Sequence, residues 1–378
     1  MTWQDVTARR MARHALTAPS TDLGPAAVAG VLCGAHAQIL GAAELSVARR
    51  VAGATRADVR TALWTDRTLV KTFGPRGTVH LLPTADLPMW TGALSALPSV
   101  APIHPEPVRF TADQAEQVIA AIGDALADAE LTVDELTDAL ADRLGPWAVE
   151  RTMSAFQDLW PRWRQLTSAA AHRGVLCFGA DRGRRVTYTN PHRWLPGFRP
   201  ADGDTALRTL VTRYLHAYGP ATPQHFARWL GTPPARATAL FDALDLTYVD
   251  LCGTPAAVLP GDTDPPPPHR GIRLLPYFDA YVVAGQPRDQ LFPGPAATRA
   301  LTPSGQAGNY PVLLVDGVVG GVWHQRRTGR RLAVTVEPLR ELTAARRRQL
   351  DDEVALVGHI LDATPTLTVG PVTVGPHA

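Results

Sequence analysis

Apolar residues recur along this chain with two different spacings, one typical of helices and one typical of strands. In residues 56–66 (RADVRTALWTD), Val59 and Leu63 fall on the same side of a helix, and this pattern predicts an amphipathic helix. Two β-rich runs follow, LVKTF (69–73) and TVHLL (78–82), with GPRG between them. Strand-forming runs that flank a Gly/Pro turn predict a β-hairpin.

The same order of helices and a strand pair returns in the middle of the chain. Thr132 opens the run VDELTDALADRL, and its spacing from Glu135 matches a capping box at a helix N-terminus. A later helix is predicted over residues 162–173. The strand pair is VLCF (175–178) and VTYT (186–189), joined by the arginine-rich turn GADRGRR.

A third copy of this order follows. Gly219-Pro220 ends one predicted helix, whereas Thr222 and Pro233 each open another. In chain order, the predicted helices are 206–218, 223–230 and 233–244, and the predicted strands are 246–251 and 256–260. Helix, helix and β-hairpin describe a winged helix, and three copies predict a tandem array. A structural scaffold built of repeats is the alternative interpretation.

After PPPP (265–268) the pattern becomes strand-rich. LLPYFDAYVVAG (274–285) is strand-like, and YPVLLVDGVVGGVWHQ (310–325) has an Asp-Gly turn between two apolar runs, a strong hairpin signal. A second turn, RRTGRR (326–331), leads into LAVTV, and a helix is predicted over residues 344–361. This region is interpreted as a small β-barrel or meander closed by a helix.

The predicted fold class is therefore α+β, with three tandem winged-helix units followed by a small C-terminal β-barrel or meander. The predicted domains are residues 1–95, 110–195, 203–262 and 270–378, and the first of them carries the candidate chemistry. We expect a monomer, because the chain has three units and lacks the heptad-patterned helix of a dimeric regulator.

Composition narrows the function classes. With 378 residues, 45% hydrophobic and 19% charged, the chain fits a globular protein, and its net charge of +2 means that any basic surface must come from local clustering. The three cysteines are far apart, and no metal-ligand spacing or cofactor motif occurs, so no cofactor and no metal are expected. The N-terminus lacks a signal core, and residues 23–43 fit a buried segment better than a membrane span, which predicts a cytoplasmic protein.

Two polar residues stand out in the apolar run that contains GAHAQILGAAE (34–44), namely His36 and Gln38. Buried polar side chains need partners, since leaving them unsatisfied costs a few kcal/mol. Residues i and i+2 share a face only on extended backbone, so joint action requires a strand-like segment with Ala37 turned into the core. A hydrogen-bonded core pair without catalytic function is the alternative.

The motifs CGAHAQ with AAEL, LVKTFGPRGTVHLLP (69–83), LLPYFDAY (274–281) and VDGVVGGVW (315–323) occur in this order. Together they resemble the winged-helix alkylpurine DNA glycosylases of the AlkZ and YcaQ type, which include an azinomycin self-resistance enzyme. The resemblance covers most of the chain. That family carries a Gln-x-Gln or Gln-x-Asp pair in a cleft that faces DNA, and here the pair falls on His36 and Gln38, with His in place of the first Gln.

The resemblance implies a monofunctional DNA glycosylase that hydrolyses the N-glycosidic bond of N7- or N3-alkylated purines, including bulky genotoxin adducts or crosslinks, in DNA repair or antibiotic self-resistance. Gln38 would orient the water and neutral His36, with an ordinary pKa of about 6.5, would accept its proton. Lys71 is the only lysine and lies in a predicted strand, which disfavours Schiff-base chemistry.

The expected partner is double-stranded DNA that carries alkylated purines. Arginines on hairpin tips can enter a minor groove or contact phosphates, and solvated turns are the alternative interpretation. The predicted DNA-binding residues are Arg76, His80, Arg182, Arg184, Arg185, Arg326, Arg327, Arg330 and Arg331, and Asp279 and Tyr281 are candidates for lining the cleft. Two further functions stay open from sequence, namely a non-catalytic winged-helix DNA-binding protein or transcription regulator, and a protein-binding or drug-sequestering scaffold.

Overall fold

A computed structural model describes residues 1–98, 105–154 and 158–376 of the chain. In chain order, its α-helices are α1 (Trp3–Arg13), α2 (Pro25–Val31), α3 (Leu40–Ala48), α4 (Arg56–Arg60), α5 (Leu87–Ser95), α6 (Ala112–Leu126), α7 (Val133–Leu144), α8 (Thr167–His172), α9 (Gly203–Tyr218), α10 (Pro223–Leu230), α11 (Pro234–Asp242), α12 (Ala280–Ala284), α13 (Arg288–Leu291), α14 (Pro295–Ala300) and α15 (Ala344–Ile360).

The β-strands are β1 (Ala35–His36), β2 (Leu69–Phe73), β3 (Val79–Pro83), β4 (Glu130–Thr132), β5 (Arg151–Ser154), β6 (Leu159–Pro161), β7 (Cys177–Phe178), β8 (Thr187–Thr189), β9 (Thr247–Leu251), β10 (Thr254–Val258), β11 (Ile272–Leu275), β12 (Val312–Val315), β13 (Val318–Thr328), β14 (Arg331–Pro338) and β15 (Thr364–Val369). This mixture of helices and small sheets confirms the α+β class.

The chain divides into two compact units. Unit 1 comprises Met1–Thr65 together with Val211–Ala378, and unit 2 comprises Asp66–Leu210. The boundary at Thr65 falls inside residues 1–95, which the sequence pattern assigned to a single winged helix. The three winged-helix units and their boundaries stay predictions.

Unit 1 contains the five-stranded C-terminal sheet, in the order β11-β12-β13-β14-β15. Neighbouring strands are antiparallel except for β14 and β15, which run parallel. The β12–β13 hairpin turns at Asp316 and Gly317, both with positive φ (53° and 83°), so the predicted Asp-Gly turn is confirmed. Glu353 of α15 accepts the Leu274 backbone N–H of β11 at 2.9 Å and thereby joins the closing helix to the sheet.

One strand prediction is wrong. Only Leu274 and Leu275 of residues 274–285 lie in β11, and α12 follows. Pro276 lacks the N–H that would continue the ladder. Asp279 then accepts the Tyr281 N–H at 3.0 Å and caps α12, which converts an apolar run into a short helix.

Unit 2 encloses a core in which Trp163, Phe178 and Tyr188 pack against α6 and α7. The predicted hairpin of β2 and β3 is confirmed as an antiparallel pair, and so is the pair of β7 and β8. The capping box at Thr132 is also confirmed, because Thr132 and Glu135 exchange both hydrogen bonds, at 2.7 and 3.3 Å. The helix predicted over 162–173 begins as a 3-10 segment, Arg162–Leu166, before α8.

The apolar stretch 23–43 folds as α2, a turn, β1 and the start of α3. Its glycines and polar residues interrupt any continuous helix there. Within residues 1–98, 105–154 and 158–376, no helix has both the length and the apolar content to cross a membrane.

Candidate active site

The polar pair lies between two helices of unit 1, with His36 on a short extended segment and Gln38 at the bend that follows it. After α2, Cys33 (φ 52°) and Gly34 (φ 97°) adopt left-handed backbone, and the Gly34 N–H returns to the Ala29 carbonyl at 2.8 Å. This turn ends the helix and directs the chain into β1, which contains His36. The α3 helix begins at Leu40, two residues after Gln38. The extended backbone expected for both residues is thus confirmed at His36, whereas Gln38 lies at a bend.

Burial differs along this segment. Ala37 is 1% exposed, which confirms that the middle residue is anchored in the core. His36 is 8% exposed, so its imidazole is mostly covered yet not sealed from solvent, whereas Gln38 is exposed. An exposed carboxamide beside a largely desolvated imidazole does not match the alternative of two polar groups that satisfy each other in the core.

An aromatic ring covers His36. Phe278 stacks on the imidazole with ring centroids 4.7 Å apart and an interplanar angle of 24°. The backbone of Phe278 is left-handed (φ 53°), and its N–H bonds the Gly308 carbonyl at 3.1 Å. Sequence reasoning missed Phe278 as a site residue because LLPYFDAY was interpreted as a strand, in which neighbouring Asp279 seemed the candidate.

Asp279 and Tyr281 do not line an open cleft, which corrects their assignment. Asp279 is 1% exposed, and the Arg50 guanidinium bonds its two carboxylate oxygens at 2.8 and 2.9 Å. The Ser46 hydroxyl donates a further bond at 2.7 Å. Tyr281 is 2% exposed and donates to the Gly317 carbonyl at 2.8 Å.

The charge state of Asp279 follows from these partners. Burial pushes the pKa of this carboxyl upward, but the positive charge of Arg50 and the hydrogen bonds from Arg50 and Ser46 hold the pKa below its ordinary value. Asp279 is therefore ionised and permanently paired at neutral pH. Its function is to join segments of unit 1.

Glu44, in the AAEL motif, is another buried carboxylate close to the pair in sequence. Its side chain has no exposed area, and it pairs with Arg60 at 2.6 Å and Arg56 at 3.2 Å. These bonds tie α3, which follows Gln38, to α4. A lone Glu in an apolar run was the available signal for this anchor.

The RRTGRR turn forms the tip of the β13–β14 hairpin, and its arginines differ in their surroundings. Arg327 donates to the Leu361 carbonyl at 2.7 Å and to Asp362, at the C-terminal end of α15. Arg330 pairs with Asp362 at 3.4 Å. Arg326 and Arg331 are also exposed. Arg327 therefore has a structural function in addition to any contact with DNA.

The predicted DNA-binding residues of unit 2 also differ in their exposure and in their partners within the protein. His80 is 4% exposed, with Nδ1 at 2.8 Å from the Thr78 carbonyl, so its side chain is packed inside and does not offer the predicted contact. Arg182 is bonded to both oxygens of Glu135, at 3.0 and 3.1 Å. The remaining predicted residues are exposed at hairpin turns, and these are Arg76, Arg184 and Arg185.

Lys71 lies in β2 and is 9% exposed, with its ammonium 4.5 Å from the centre of the Phe178 ring. A cation held over an aromatic face in a strand is positioned for packing. In the described parts of the chain, no group of three His, Cys, Asp or Glu side chains is arranged to hold a metal ion.

Comparisons with known proteins agree over most of the chain. A family model described as "DNA glycosylase AlkZ-like" matches residues 29–360. The chain is 34% identical over 337 residues to "Interstrand DNA cross-link repair glycosylase" of Streptomyces sahachiroi, which covers 85% of this chain and 87% of that protein. It is also similar to the solved structure of Streptomyces sahachiroi DNA glycosylase AlkZ, with a TM-score of 0.82 and 29% identity over 98% of this chain and 100% of that one. The matched range includes the polar pair and the segment that contains Phe278.

Proposed function

The chain belongs to the AlkZ-like DNA glycosylase family and is a DNA glycosylase, and from this premise we propose that it hydrolyses the N-glycosidic bond of purines alkylated at N7 or N3 in duplex DNA. One observation carries the proposal, namely that a mostly buried His36 at the end of β1 is followed, two residues on, by exposed Gln38 at a bend before α3.

The proposed substrate is already activated. Alkylation at N7 or N3 makes the purine cationic, so that it leaves with the electrons of the glycosidic bond and needs no proton from the protein. The protein must then hold a water at the anomeric carbon while positive charge develops on the sugar. General-base assistance, worth roughly 10²- to 10⁴-fold, suffices for such a substrate.

Each residue of the pair has one task. The Gln38 carboxamide accepts one hydrogen bond from the water and directs its lone pair at the anomeric carbon. Neutral His36 accepts the proton as the C–O bond forms and the C–N bond breaks.

We extend the proposal to bulky adducts. A relative that covers 85% of this chain is named an interstrand DNA cross-link repair glycosylase, and a crosslink is a bulky alkylated purine joined to the opposite strand. The substrates proposed for this chain are therefore bulky N7-alkylguanines, including those in interstrand crosslinks.

DNA binding is proposed to use three winged-helix units, acting as a monomer. Exposed arginines at hairpin turns are the proposed contacts, and they comprise Arg76, Arg184, Arg185, Arg326, Arg330 and Arg331. Arginine suits this task because its planar fork matches phosphate geometry. The proposed enzyme is monofunctional, because the sole lysine is buried against Phe178.

The test is base release from a panel of duplexes that contain N7-methylguanine, a bulky N7-alkylguanine, N3-methyladenine or no lesion. We expect the wild type to release alkylated bases, and the variants His36→Ala and Gln38→Ala to slow release by about 10²-fold or more with little change in duplex affinity. Gln4→Ala removes an exposed amide on α1 and is the matched control. Borohydride added to the same reactions should trap no covalent adduct. Full release rates in both site variants would refute the catalytic assignment.

A further inference from the structure

We propose that Phe278 is a positioning residue that fixes the plane of the His36 imidazole, and that the buried Arg50–Asp279 ion pair holds Phe278 in place. This inference rests on the proposed catalytic role of His36. It assigns a function to the segment FDAY (278–281), in which the side chains of Asp279 and Tyr281 are buried.

The stack restricts the imidazole. With centroids 4.7 Å apart and planes 24° from parallel, the phenyl ring covers one face of His36 and leaves the edge that carries the ring nitrogens uncovered by this contact. Rotation of the imidazole about its Cβ–Cγ bond would drive that edge into the phenyl ring. The direction in which the nitrogens point is therefore set by Phe278, and a general base needs this control of direction.

The backbone of Phe278 is held in a conformation that an aromatic residue seldom adopts. Its φ of 53° is left-handed, which costs of order 1 kcal/mol for a residue with a Cβ. The bond from its N–H to Gly308 accompanies this conformation, and Gly308 (φ 102°) has no room for a side chain, because a Cβ there would lie 2.8 Å from the Phe278 ring. A strained residue persists where its surroundings over-determine it, and functional sites are where such residues concentrate.

The Arg50–Asp279 ion pair connects the Phe278 segment to the helix that follows Gln38. Asp279 directly follows Phe278, and its partners Ser46 and Arg50 lie in α3 and just after it. The α3 helix begins two residues after Gln38. One buried carboxylate therefore fixes both the segment that covers His36 and the helix that Gln38 precedes.

A stability role alone accounts poorly for this arrangement. Both side chains of the Arg50–Asp279 pair have no exposed area, and a buried pair is often no more stabilising than apolar residues of the same size. What such a pair supplies is a fixed geometry, because its bidentate bonds tolerate only small displacements. Here that geometry is the relative position of Phe278 and α3.

The experiment uses the full-length protein with N7-methylguanine duplex under single-turnover conditions with enzyme in excess. Phe278→Leu keeps an apolar side chain but removes the flat face, and we expect the base-release rate constant to fall about 10- to 100-fold while the dissociation constant for the duplex changes less than about 2-fold. Phe278→Tyr keeps a flat ring at this half-buried position, and its base-release rate constant should stay within about 3-fold of the wild-type value. A merely structural role would lower thermal stability and duplex affinity together, and would not lower the base-release rate constant while leaving the dissociation constant unchanged.

A double variant separates this inference from the proposed function. If Phe278 acts through His36, Phe278→Leu adds little to the defect of His36→Ala, so that the two effects are non-additive. Equal slowing by Phe278→Leu in both backgrounds would overturn the inference, and so would a wild-type rate in Phe278→Leu alongside a slow His36→Ala. A wild-type rate in His36→Ala would instead contradict the catalytic role that the proposed function gives to His36.

Discussion

At the scale of single residues, arginines that look equivalent in the sequence have different tasks in the structure. In the RRTGRR hairpin, Arg326 is paired with Ala333 and Thr328 with Arg331 across the two strands. Side chains alternate along a strand, so Arg326 and Arg331 share one face of the hairpin. Arg327 lies on the opposite face, where it bonds the C-terminal carbonyls of α15.

This division predicts opposite phenotypes within one turn. The double variant Arg326→Ala/Arg331→Ala should weaken binding to undamaged duplex and reduce the slope of log affinity against log salt by about 1 to 2, because two phosphate contacts are lost. The melting temperature of this double variant should equal that of the wild type. Titrations at two salt concentrations, with thermal melts alongside, measure both quantities.

Arg327→Ala is the matched comparison. It should lower unfolding stability by about 1 kcal/mol, because carbonyls at the end of α15 lose charge-assisted donors, with a smaller effect on the salt slope. If Arg327→Ala changes the slope as much as the double variant does while stability is unaffected, the assignment by strand face is wrong.

At the scale of elements, signals that depend on a few neighbouring residues predicted the structure well. The Asp-Gly turn, the Thr132 capping box and the β2–β3 hairpin are local, since their geometry follows from backbone preferences and short-range hydrogen bonds. The extended backbone at His36 was also predictable, because joint action of His36 and Gln38 requires it, whereas the bend at Gln38 was not predicted.

The burial of individual side chains was less predictable, because it depends on elements distant in sequence. Asp279 looked available until its partner Arg50 was known, 229 residues away. His80 looked like a wing residue, but it lies inside, next to Gly74, where a Cβ would come within 2.8 Å of its ring. The stack of Phe278 on His36 was invisible for the same reason.

Two glycines at hairpin turns provide a test at this scale. Gly317, at φ 83°, faces Thr7 and Met11 of α1, and a Cβ there would lie 2.8 Å from Thr7 and 3.0 Å from the Met11 sulfur. We expect Gly317→Ala to reduce unfolding stability by roughly 2 to 4 kcal/mol, through backbone strain together with displacement of α1. Urea denaturation measures this change.

Gly329 is the control because it has a similar φ of 60° but nothing within 4 Å of a Cβ. Gly329→Ala should cost only about 1 kcal/mol, the backbone contribution alone. Similar losses in the two variants would show that contact of the β12–β13 turn with α1 contributes nothing measurable.

At the scale of the whole molecule, arginine replaces lysine in the interior as well as on the surface. The chain has 37 Lys and Arg, of which only Lys71 is lysine. Arg10 and Arg50 are buried and donate to backbone carbonyls at 2.6 to 3.2 Å. Arg10 links α1 to the carbonyls of Pro220 and Gln286, and Arg50 links the end of α3 to the end of α1. A guanidinium with five donors can join several carbonyls at once, which an ammonium on a flexible stem does less well. Part of the arginine content therefore stabilises the fold and is not available to DNA.

Buried histidines make the whole fold sensitive to acid. Burial lowers the pKa of His14 from 6.5 to about 3, with the nearby charge of Arg50 acting in the same direction, and burial lowers the pKa of His172 and of His225 to about 4. In the unfolded chain these imidazoles take up protons below pH 6.5, whereas the folded protein resists protonation until pH 3 to 4. The unfolded state is therefore favoured as the pH falls through this window, and stability is fully present only above pH 6.5.

His14 offers the sharpest test of this acid sensitivity, because its side chain is buried between the rings of Tyr218 and Tyr281, with centroids 5.0 and 5.5 Å away, and Nε2 is bonded to the Ala217 carbonyl at 3.1 Å. His14→Gln keeps a donor for that carbonyl but cannot titrate. We expect the variant to be less stable than wild type at pH 8, because two ring contacts are lost. Below pH 6.5, the wild type should lose about 1.4 kcal/mol more of its free energy of unfolding per pH unit than the variant does. The reason is that unfolding of the variant takes up one proton fewer. Urea denaturation at pH 8, 6 and 5 gives both slopes, and parallel slopes for the two proteins would mean that the buried imidazole of His14 is already protonated in the folded state.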